Sequence, residues 1–295
     1  MSALDPDWIA RTVATALDED LGPEPGRDVT TQATISPDAT GTADLVARES
    51  GVVAGLVLAQ AVVEQVARRL GLPTPTVDQR VPDGTRVEPG DVLVVLEGRV
   101  QVLLVAERTL LNLASRASGV ATHTRRWADA LEGTGAQVLD TRKTTPGLRA
   151  LDKYAVRCGG GTNKRMGLYD VAMVKDNHVV AAGSVTAAID AIRGRYPEVL
   201  IQVEADTLAQ ALEAVAAGAR FLLLDNMATA LLRQVVEAVR ATGESVELEA
   251  TGNLTLDRAR EVASTGVDYL SVGGLTHSSP ILDLALDLEP AAGRV

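Results

Sequence analysis

The sequence predicts an α/β protein whose larger part is an open, incomplete α/β barrel with a parallel sheet. Six short runs rich in β-branched residues and leucine are each followed by a stretch of helical periodicity. The later runs recur every 21 to 26 residues, a spacing typical of successive β/α units around a buried sheet. A complete barrel has eight strands, and a doubly wound sheet is the second architecture that this pattern allows. The six runs are AQVLD (136–140), VAMVK (171–175), VLIQVE (199–204), RFLLLD (220–225), VELEA (246–250) and DYLSV (268–272).

The first hundred residues predict a smaller α/β unit. The stretch DPDWIARTVATALDEDL places apolar residues on one helical face, and Asp5 is its expected N-cap. The stretch TADLVARESGVVAGL alternates and then turns at Gly51, which indicates strands. VPDGTRVEPGDVLVVLEG is typical of a hairpin, with DG and PGD as its turns. A long helix is predicted from Gln101 to Leu131, and Gly119 could interrupt it.

Composition and charge exclude several classes of function. Hydrophobic residues make up 46% and charged residues 23% of the chain, as in a globular protein. Aromatic residues make up only 2% and the formal net charge is −11, so no nucleic-acid partner is expected. A single cysteine, Cys158, excludes an internal disulfide framework and a thiolate zinc cluster. The three histidines, at 123, 178 and 277, are far apart in the sequence, which disfavours a histidine-rich metal site.

No membrane segment is predicted. The first twenty residues are acidic and lack the order of a signal peptide. The longest apolar stretch, 52–67, is too short to cross a bilayer and contains three polar residues. We therefore expect a cytoplasmic protein.

The middle of this acidic chain carries an excess of positive charge. Between Thr141 and Lys175 there are eight basic and two acidic residues, a net charge of +6 in 35 residues. Arginine forks suit planar carboxylates and lysines act as point charges on phosphate. The sequence thus predicts a polyanionic ligand that carries phosphate and carboxylate groups.

Polar residues follow each predicted strand, where the site of a parallel barrel is built. Two strand ends carry the acids Glu204 and Asp225, and Lys175 follows a third. The remaining strand-end residues are Thr141, Arg142 and Lys143, the turn Thr251, Gly252 and Asn253, and the turn Val272, Gly273 and Gly274. We expect these residues to share one pocket, with the turns offering backbone N–H groups to a phosphate.

Several of these residues have more than one interpretation. Glu204 and Asp225 either pair with nearby lysines or hold Mg²⁺ through water beside phosphates. Lys175 is either a Schiff-base lysine or a fixed charge for an anion. Cys158 is expected to be inert, and His178 is expected to be structural.

At this point a resemblance to a known family becomes visible. The segment DTRKTTPGLRALDKYAVRCGGGTNKRMGLYDVAMVKDNH (140–178) resembles the central signature of quinolinate phosphoribosyltransferases, nicotinate-nucleotide pyrophosphorylases of the carboxylating type. The likeness continues, in order, over nearly the whole chain. It includes RDVTT (27–31), AERTLLNLASRASGVAT (106–122), VEADT (203–207), LLLDN (222–226), ATGNLTL (250–256) and TGVDYLSVGGLTHS (265–278).

The resemblance implies the fold and activity of type II phosphoribosyltransferases. It implies an N-terminal α/β sandwich domain (1–116), an open α/β barrel (117–278) and a C-terminal segment, about 279–295, that packs back on the sandwich. It also implies transfer of phosphoribosyl from phosphoribosyl pyrophosphate to quinolinate with decarboxylation, the step of de novo NAD biosynthesis that gives nicotinate mononucleotide, with Mg²⁺ as cofactor. A homodimer with shared active sites is implied as well.

The resemblance also assigns roles to residues. Arg142, Arg165 and Lys175 would hold the quinolinate carboxylates, joined by Arg108 of the neighbouring subunit. The residues with catalytic roles would be Lys143, Lys175, Glu204 and Asp225, the last two also toward the ribose and Mg²⁺. The phosphate would lie on the turns Thr251–Asn253 and Val272–Gly274, and Thr141 and Lys164 complete the predicted substrate-binding set.

Two positions depart from the family pattern. Lys164 stands where a histidine is common, and Thr251 stands where a serine is frequent. Lysine is a nearly permanent cation, so carboxylate binding should survive, whereas any role of a neutral imidazole would not. Three alternatives stay open: a paralogous transferase for another pyridine carboxylate, a class I aldolase that uses Lys175, and a non-catalytic sugar-phosphate sensor.

Overall fold

The computed structural model describes residues 3–290 of the chain. The α-helices are α1 (Pro6–Leu21), α2 (Val29–Thr34), α3 (Ala59–Leu70), α4 (Val100–Leu131), α5 (Arg149–Cys158), α6 (Asp176–Ala182), α7 (Val185–Arg195), α8 (Leu208–Ala216), α9 (Thr229–Ala241), α10 (Ala259–Ala263) and α11 (Gly274–His277). The β-strands are β1 (Thr40–Ala47), β2 (Gly51–Val52), β3 (Thr76–Gln79), β4 (Arg86–Val87), β5 (Val92–Arg99), β6 (Gln137–Leu139), β7 (Val171–Val174), β8 (Leu200–Ala205), β9 (Phe221–Asp225), β10 (Glu247–Thr251), β11 (Tyr269–Ser271) and β12 (Leu284–Pro290). All six predicted strand runs are strands, β6 to β11.

The chain forms two compact units. The first takes in the described parts of 1–125 and 278–295 together with 145–160, and the second consists of 126–144 and 161–277. Helix α5 thus belongs to the first unit, although the chain on both sides of it belongs to the second. The domain bounds from the resemblance stay a prediction, and residues 291–295 of its returning segment lie outside the described residues. Within 3–290, no helix combines the length and apolar character that a bilayer crossing requires.

The first unit is built on an antiparallel sheet with the strand order β12–β1–β5–β3. Leu45 at the centre of β1 lies opposite Leu286 of the last strand and Val94 of β5. Helix α1 begins as predicted, because the Asp5 carboxylate accepts the backbone N–H of Trp8 at 2.9 Å. Strand β12, the last along the chain, is therefore an edge strand of this sheet and pairs with β1.

The hairpin predicted for 81–98 is wrong. Strand β4 pairs with β2, and β5 lies between β1 and β3. The backbone of the PGD turn is the physical reason, because it bonds to the end of β1. Gly90 donates its N–H to the carbonyl of Ala47 at 2.8 Å, and Ala47 donates its own to Asp91 at 3.0 Å.

Helix α4 runs without a break through Gly119, so the predicted interruption is wrong. A Cβ atom at position 119 would lie 2.0 Å from the carbonyl oxygen of Pro280. The glycine therefore serves the close approach of another segment of the first unit and does not end the helix.

The second unit confirms the open barrel. Its six strands are parallel and ordered β6–β11–β10–β9–β8–β7. The first strand of the unit lies beside its last, so the cylinder is open only between β6 and β7 in the described chain. A doubly wound sheet would instead reverse its strand order at an internal switch point. Because all six strands run in one direction, their carboxyl ends share one edge.

We expect Gly119→Ala to destabilise the protein by about 1–3 kcal/mol, because the added methyl group overlaps the Pro280 carbonyl. The measurement is the free energy of unfolding from denaturant titration. Gly194→Ala is the matched control, because Gly194 also lies in a helix and a Cβ there meets nothing within 4 Å. The control should be neutral or gain up to about 1 kcal/mol. Equal effects of the two substitutions would contradict the packing role of Gly119.

Candidate active site

The two predicted strand-end acids and Thr251 lie at one edge of the second unit. Thr251 lies directly opposite Asp225 on the neighbouring strand, and Glu204 lies opposite Leu223 on the other side of β9. Paired residues of parallel strands point to the same face of a sheet, and side chains alternate along each strand. Glu204, Asp225 and Thr251 therefore face the same side, as the sequence predicted for a shared site.

Lys175 is paired with an acid from the neighbouring strand end. Its ammonium Nζ lies 2.6 Å from Oε2 of Glu204, and the two side chains are 46% and 13% exposed. The backbone N–H of Lys175 donates to Nδ1 of His178 at 3.0 Å, which caps helix α6. His178 thus has the structural role that was expected of it.

Lys164 is placed by a buried acid that follows β6. The carboxylate of Asp140 accepts the backbone N–H of Lys164 at 2.8 Å and the side-chain amide of Asn163 at 2.6 Å. From this anchor the lysine side chain reaches Glu249 in the middle of β10, with Nζ 2.6 Å from Oε1. The lysine side chain is 7% exposed and the glutamate side chain is fully buried. Glu249 shares its face of the sheet with Thr251, which follows two positions later on the same strand.

Burial opposes charge on both members of this pair. It lowers the pKa of Lys164, an effect that Glu249 partly offsets and that Arg165 and Lys175 reinforce. It raises the pKa of Glu249, which Lys164 partly offsets and Glu204 reinforces. Each partner is therefore the main group that keeps the other charged.

Two arginines at the site are neighbours of like charge. Burial and the charge of Arg142 lower the pKa of Arg165, and Asp170 raises it. The Arg165 guanidinium donates to the carbonyl of Val171 at 3.0 Å. Nε of Arg142 is buried and has no hydrogen-bond partner in the described chain. Neighbouring guanidinium groups with an unused buried donor are suited to a carboxylate or another planar anion.

The turn after β10 interlocks with the turn after β9. Gly252 and Asn253 have positive φ angles of 91° and 48°, and Asn226 has one of 52°. The backbone N–H of Asn226 donates to the Thr251 carbonyl at 2.9 Å, and its Oδ1 accepts from the Asn253 side chain at 3.1 Å. A Cβ at Gly252 would lie 2.3 Å from that Oδ1. Left-handed backbone at non-glycine residues is strained and is typical of functional sites.

Lys143 lies beside the turn after β11. A Cβ at Gly273 would lie 3.0 Å from its Cδ, and the Thr276 hydroxyl donates to its carbonyl at 2.8 Å. The N–H of Val272 donates to Leu139 within the sheet, so Val272 does not offer this group to a phosphate. The short helix α11 begins immediately afterwards, at Gly274.

Two further predicted residues, Thr141 and Arg108, lie in different units of the chain. The Thr141 hydroxyl accepts the backbone N–H of Lys143 at 3.0 Å and so shapes the segment after β6. Arg108 lies on helix α4 in the first unit, and its side chain is exposed.

Three residues that shape the site were not among those predicted from the sequence. Glu249 and Asp140 are fully buried acids, and Asn226 holds the turn after β10. The sequence signal for Glu249 was the second of two glutamates in the strand run VELEA, close to its carboxyl end. The prediction considered only residues at strand ends, and Glu249 lies inside its strand. Its contact with Lys164 could not be predicted either, because the two residues are 85 positions apart.

The predicted metal residues have the right chemistry for Mg²⁺, which prefers carboxylate oxygens and keeps several waters. Glu204 and Asp225 project from neighbouring strand ends, and Asp225 accepts the side-chain amide of Asn226 at 2.7 Å. No three His, Cys, Asp or Glu side chains are grouped as a metal site in residues 3–290. The two carboxylates fit a metal that takes its other ligands from water and substrate.

The fold and the site together define the class of α/β-barrel enzymes with an anion site at the carboxyl ends of their strands. Models of the quinolinate phosphoribosyl transferase N-terminal and C-terminal domains match residues 28–118 and 120–287. The chain therefore belongs to the quinolinate phosphoribosyltransferase family, and it is a pentosyltransferase.

Individual relatives agree with this assignment. The chain is 47% identical over 277 residues to the nicotinate-nucleotide pyrophosphorylase (carboxylating) of Mycobacterium leprae, covering 94% of this chain and 96% of the relative. The solved structure of NadC from Streptococcus pyogenes is 36% identical, with a TM-score of 0.90 and coverage of 98% and 99%. The nicotinate-nucleotide pyrophosphorylase from Francisella tularensis is 32% identical, with a TM-score of 0.90 and coverage of 97% and 98%.

We expect Lys164→Met to destabilise the protein in a pH-dependent way. The folded-state pKa of Glu249 is raised above the ordinary 4.5, so its contribution to stability falls as pH rises through the folded value. Without Lys164 the rise is larger. The loss of unfolding free energy should be small near pH 4.5 and grow to about 3–5 kcal/mol by pH 8.

Denaturant titrations at pH 4.5, 6 and 8 measure this dependence. Arg220→Met is the control, because it breaks the half-exposed Arg220–Glu244 pair and should change the free energy by about 1 kcal/mol or less. A loss in Lys164→Met that does not vary with pH would contradict the assignment of Glu249 as the responsible group.

Proposed function

We propose that the protein transfers phosphoribosyl from phosphoribosyl pyrophosphate to quinolinate, releasing pyrophosphate and CO₂ and forming nicotinate mononucleotide for NAD biosynthesis. The single observation that carries this proposal is the buried Nε of Arg142, which follows the first barrel strand and has no hydrogen-bond partner in the described residues. The names of the relatives, pyrophosphorylases of the carboxylating type, support the same reaction.

The two carboxylates of quinolinate are assigned to the arginines and Lys175. An arginine fork offers two parallel donors to a carboxylate, and the buried Nε of Arg142 has no other partner in the described residues. Lys175 is held by Glu204, so it presents a fixed cation near the same edge. Binding of a dianion would relieve the repulsion between the two guanidinium groups.

Phosphoribosyl pyrophosphate is assigned to the other side of the sheet edge. Lys143 and the turn at Gly273 lie together, and the turn at Thr251–Asn253 would offer its backbone N–H groups to the phosphate. Glu204 and Asp225 would face the ribose and hold Mg²⁺ through water. When bound, Mg²⁺ would neutralise charge on the diphosphate leaving group.

The chemistry requires positioning more than proton transfer. The pyridine nitrogen of quinolinate attacks C1 of the ribose, and the bond from C1 to the pyrophosphate oxygen breaks. CO₂ then leaves the ring carbon next to the pyridinium nitrogen, the electron pair of the broken C–C bond stays on that carbon, where the adjacent positive charge stabilises it, and the carbon takes a proton from solvent. The arginines orient the ring, and the lysines offset the accumulating negative charge.

An aldolase that uses Lys175 is the weaker alternative. A Schiff base needs an amine that is free to attack a carbonyl, whereas the Lys175 Nζ is bound to the Glu204 carboxylate at 2.6 Å. A paralogous transferase for a pyridine monocarboxylate would need one carboxylate site, and the neighbouring arginines favour two.

The test of the proposed function is product release. The purified protein should release equimolar CO₂ and pyrophosphate from carboxyl-labelled quinolinate and phosphoribosyl pyrophosphate, and only when Mg²⁺ is present. Nicotinate in place of quinolinate should release little pyrophosphate. Equal turnover of nicotinate, or none of quinolinate, would reject the proposal.

A homodimer in the cytoplasm, with Arg108 reaching the partner's site, is part of the proposal. It rests on the family resemblance, on the exposure of Arg108, and on the single cysteine, which suits a reducing compartment. Two strongly exposed apolar side chains of the second unit, Leu168 and Tyr169, at 72% and 81%, are candidates for burial against a second copy.

Heterodimers of two inactive variants test the shared site. Arg108→Ala and Arg165→Ala alone should each raise the quinolinate KM at least about tenfold, because each removes a carboxylate ligand. A heterodimer isolated with two affinity tags contains one intact site, so it should regain about half of the wild-type activity. Arg195→Ala, a surface control, should keep full activity. Heterodimers no more active than the parent variants would show that the sites are not shared.

A further inference from the structure

Glu249 lies one layer below the strand-end residues of the site. It precedes Thr251 by two positions on β10, so both side chains point to the same face of the strand. Its carboxylate is fully buried, and one oxygen binds the Lys164 ammonium at 2.6 Å. Burial raises the pKa of Glu249, and the buried hydroxyl of Ser271 on the adjacent strand acts together with Lys164 to lower it.

The charges around this pair act against it. Arg165 and Lys175 face Lys164 and favour its neutral form, while Glu204 faces Glu249 and favours the protonated acid. The backbone of Lys164 is fixed separately by Asp140. Glu249 thus binds the lysine ammonium directly, against the repulsion of two neighbouring cations.

The choice of lysine at this position is unusual for the chain. Only four of its 28 basic residues are lysines, namely Lys143, Lys153, Lys164 and Lys175. A lysine is a compact point charge on a flexible stem, and here its ammonium reaches the buried Glu249 at 2.6 Å. The position therefore matches the acid that it contacts.

We propose that Glu249 is a positioning residue whose buried carboxylate holds the Lys164 ammonium at the quinolinate end of the site. This inference rests on the proposed function, because Lys164 is one of the cations predicted to bind the substrate and Glu249 is the residue that positions it. In Glu249→Gln the amide keeps the shape of the carboxylate but supplies no charge, so the ammonium of Lys164 loses the charge of this carboxylate.

Steady-state kinetics give the first test. We expect Glu249→Gln to raise the quinolinate KM about tenfold or more at pH 8, with a smaller change in the KM for phosphoribosyl pyrophosphate. The alkaline limb of kcat/KM for quinolinate should move to lower pH. Glu244→Gln removes an exposed acid of the same unit and should change neither quantity. A limb that stays in place in Glu249→Gln would overturn the proposal.

The double variant Lys164→Met/Glu249→Gln separates positioning from stability. Breaking a buried pair is strongly destabilising, and removing both charges restores much of the loss. A purely structural role of Glu249 predicts that the quinolinate KM recovers together with the melting temperature. The positioning role predicts that stability recovers while the KM stays high, because the cation is gone.

A titration without substrate keeps this inference distinct from the proposed function. Protein labelled with ¹³C at the lysine ε-carbons should give four signals, and the one missing in Lys164→Met is that of Lys164. Removing the carboxylate should lower the pKa of Lys164 by about one unit or more in Glu249→Gln and leave it unchanged in Glu244→Gln. An unchanged Lys164 titration would overturn the positioning role even if quinolinate is turned over. A shifted titration without turnover would reject only the proposed function.

Discussion

The structure of the site depends on one electrostatic constraint: cationic side chains that attract an anion must be held together while no anion is bound. Like charges at short distance repel, and burial strengthens the repulsion because it removes the screening of water. The protein meets this constraint in two ways. Two lysines are each paired with a carboxylate, Lys164 with Glu249 and Lys175 with Glu204. Arg142 and Arg165 have no such ion pair within residues 3–290; burial and Arg142 lower the pKa of Arg165, and Asp170 offsets part of this effect.

The lysines and the arginines of the site therefore contribute differently to anion binding. A lysine that is already paired adds little net charge, but it keeps a defined position and can exchange its contacts when a substrate carboxylate arrives. The arginines, which form no ion pair in the described residues, are the part of the site that gains most from a dianion. The preference for a dicarboxylate thus follows from which cations are compensated within the protein and which are not.

The barrel explains why these residues can meet. Six parallel strands in one open sheet place their carboxyl ends at one edge, whatever the distance between them along the chain. The tight turns at that edge then depend on close backbone approach. Asn226 occupies the space that a side chain at Gly252 would need, and two asparagines accept left-handed backbone to form the contact. Rigid strands and strained turns together fix the site before any substrate binds.

Local pattern was enough for the strands and for the residues that end them. Alternation and apolar runs reflect burial in a sheet, and the carboxyl end of a parallel strand is known once its direction is known, so Lys175, Glu204 and Asp225 could be grouped from sequence. The collinear motifs were enough for the family.

Other features depend on residues that are distant along the chain. Strand β4 pairs with β2 because the turn after it bonds to the end of β1, and helix α4 continues through Gly119 because the segment at Pro280 packs against it. The partner of Lys164 is likewise an acid 85 residues away, and no local pattern predicts which buried acid a lysine will reach. The sequence by itself determined which segments form the barrel and its edge, because that information is local; only the tertiary structure decided which charges are paired there, because pairing depends on distances that folding creates.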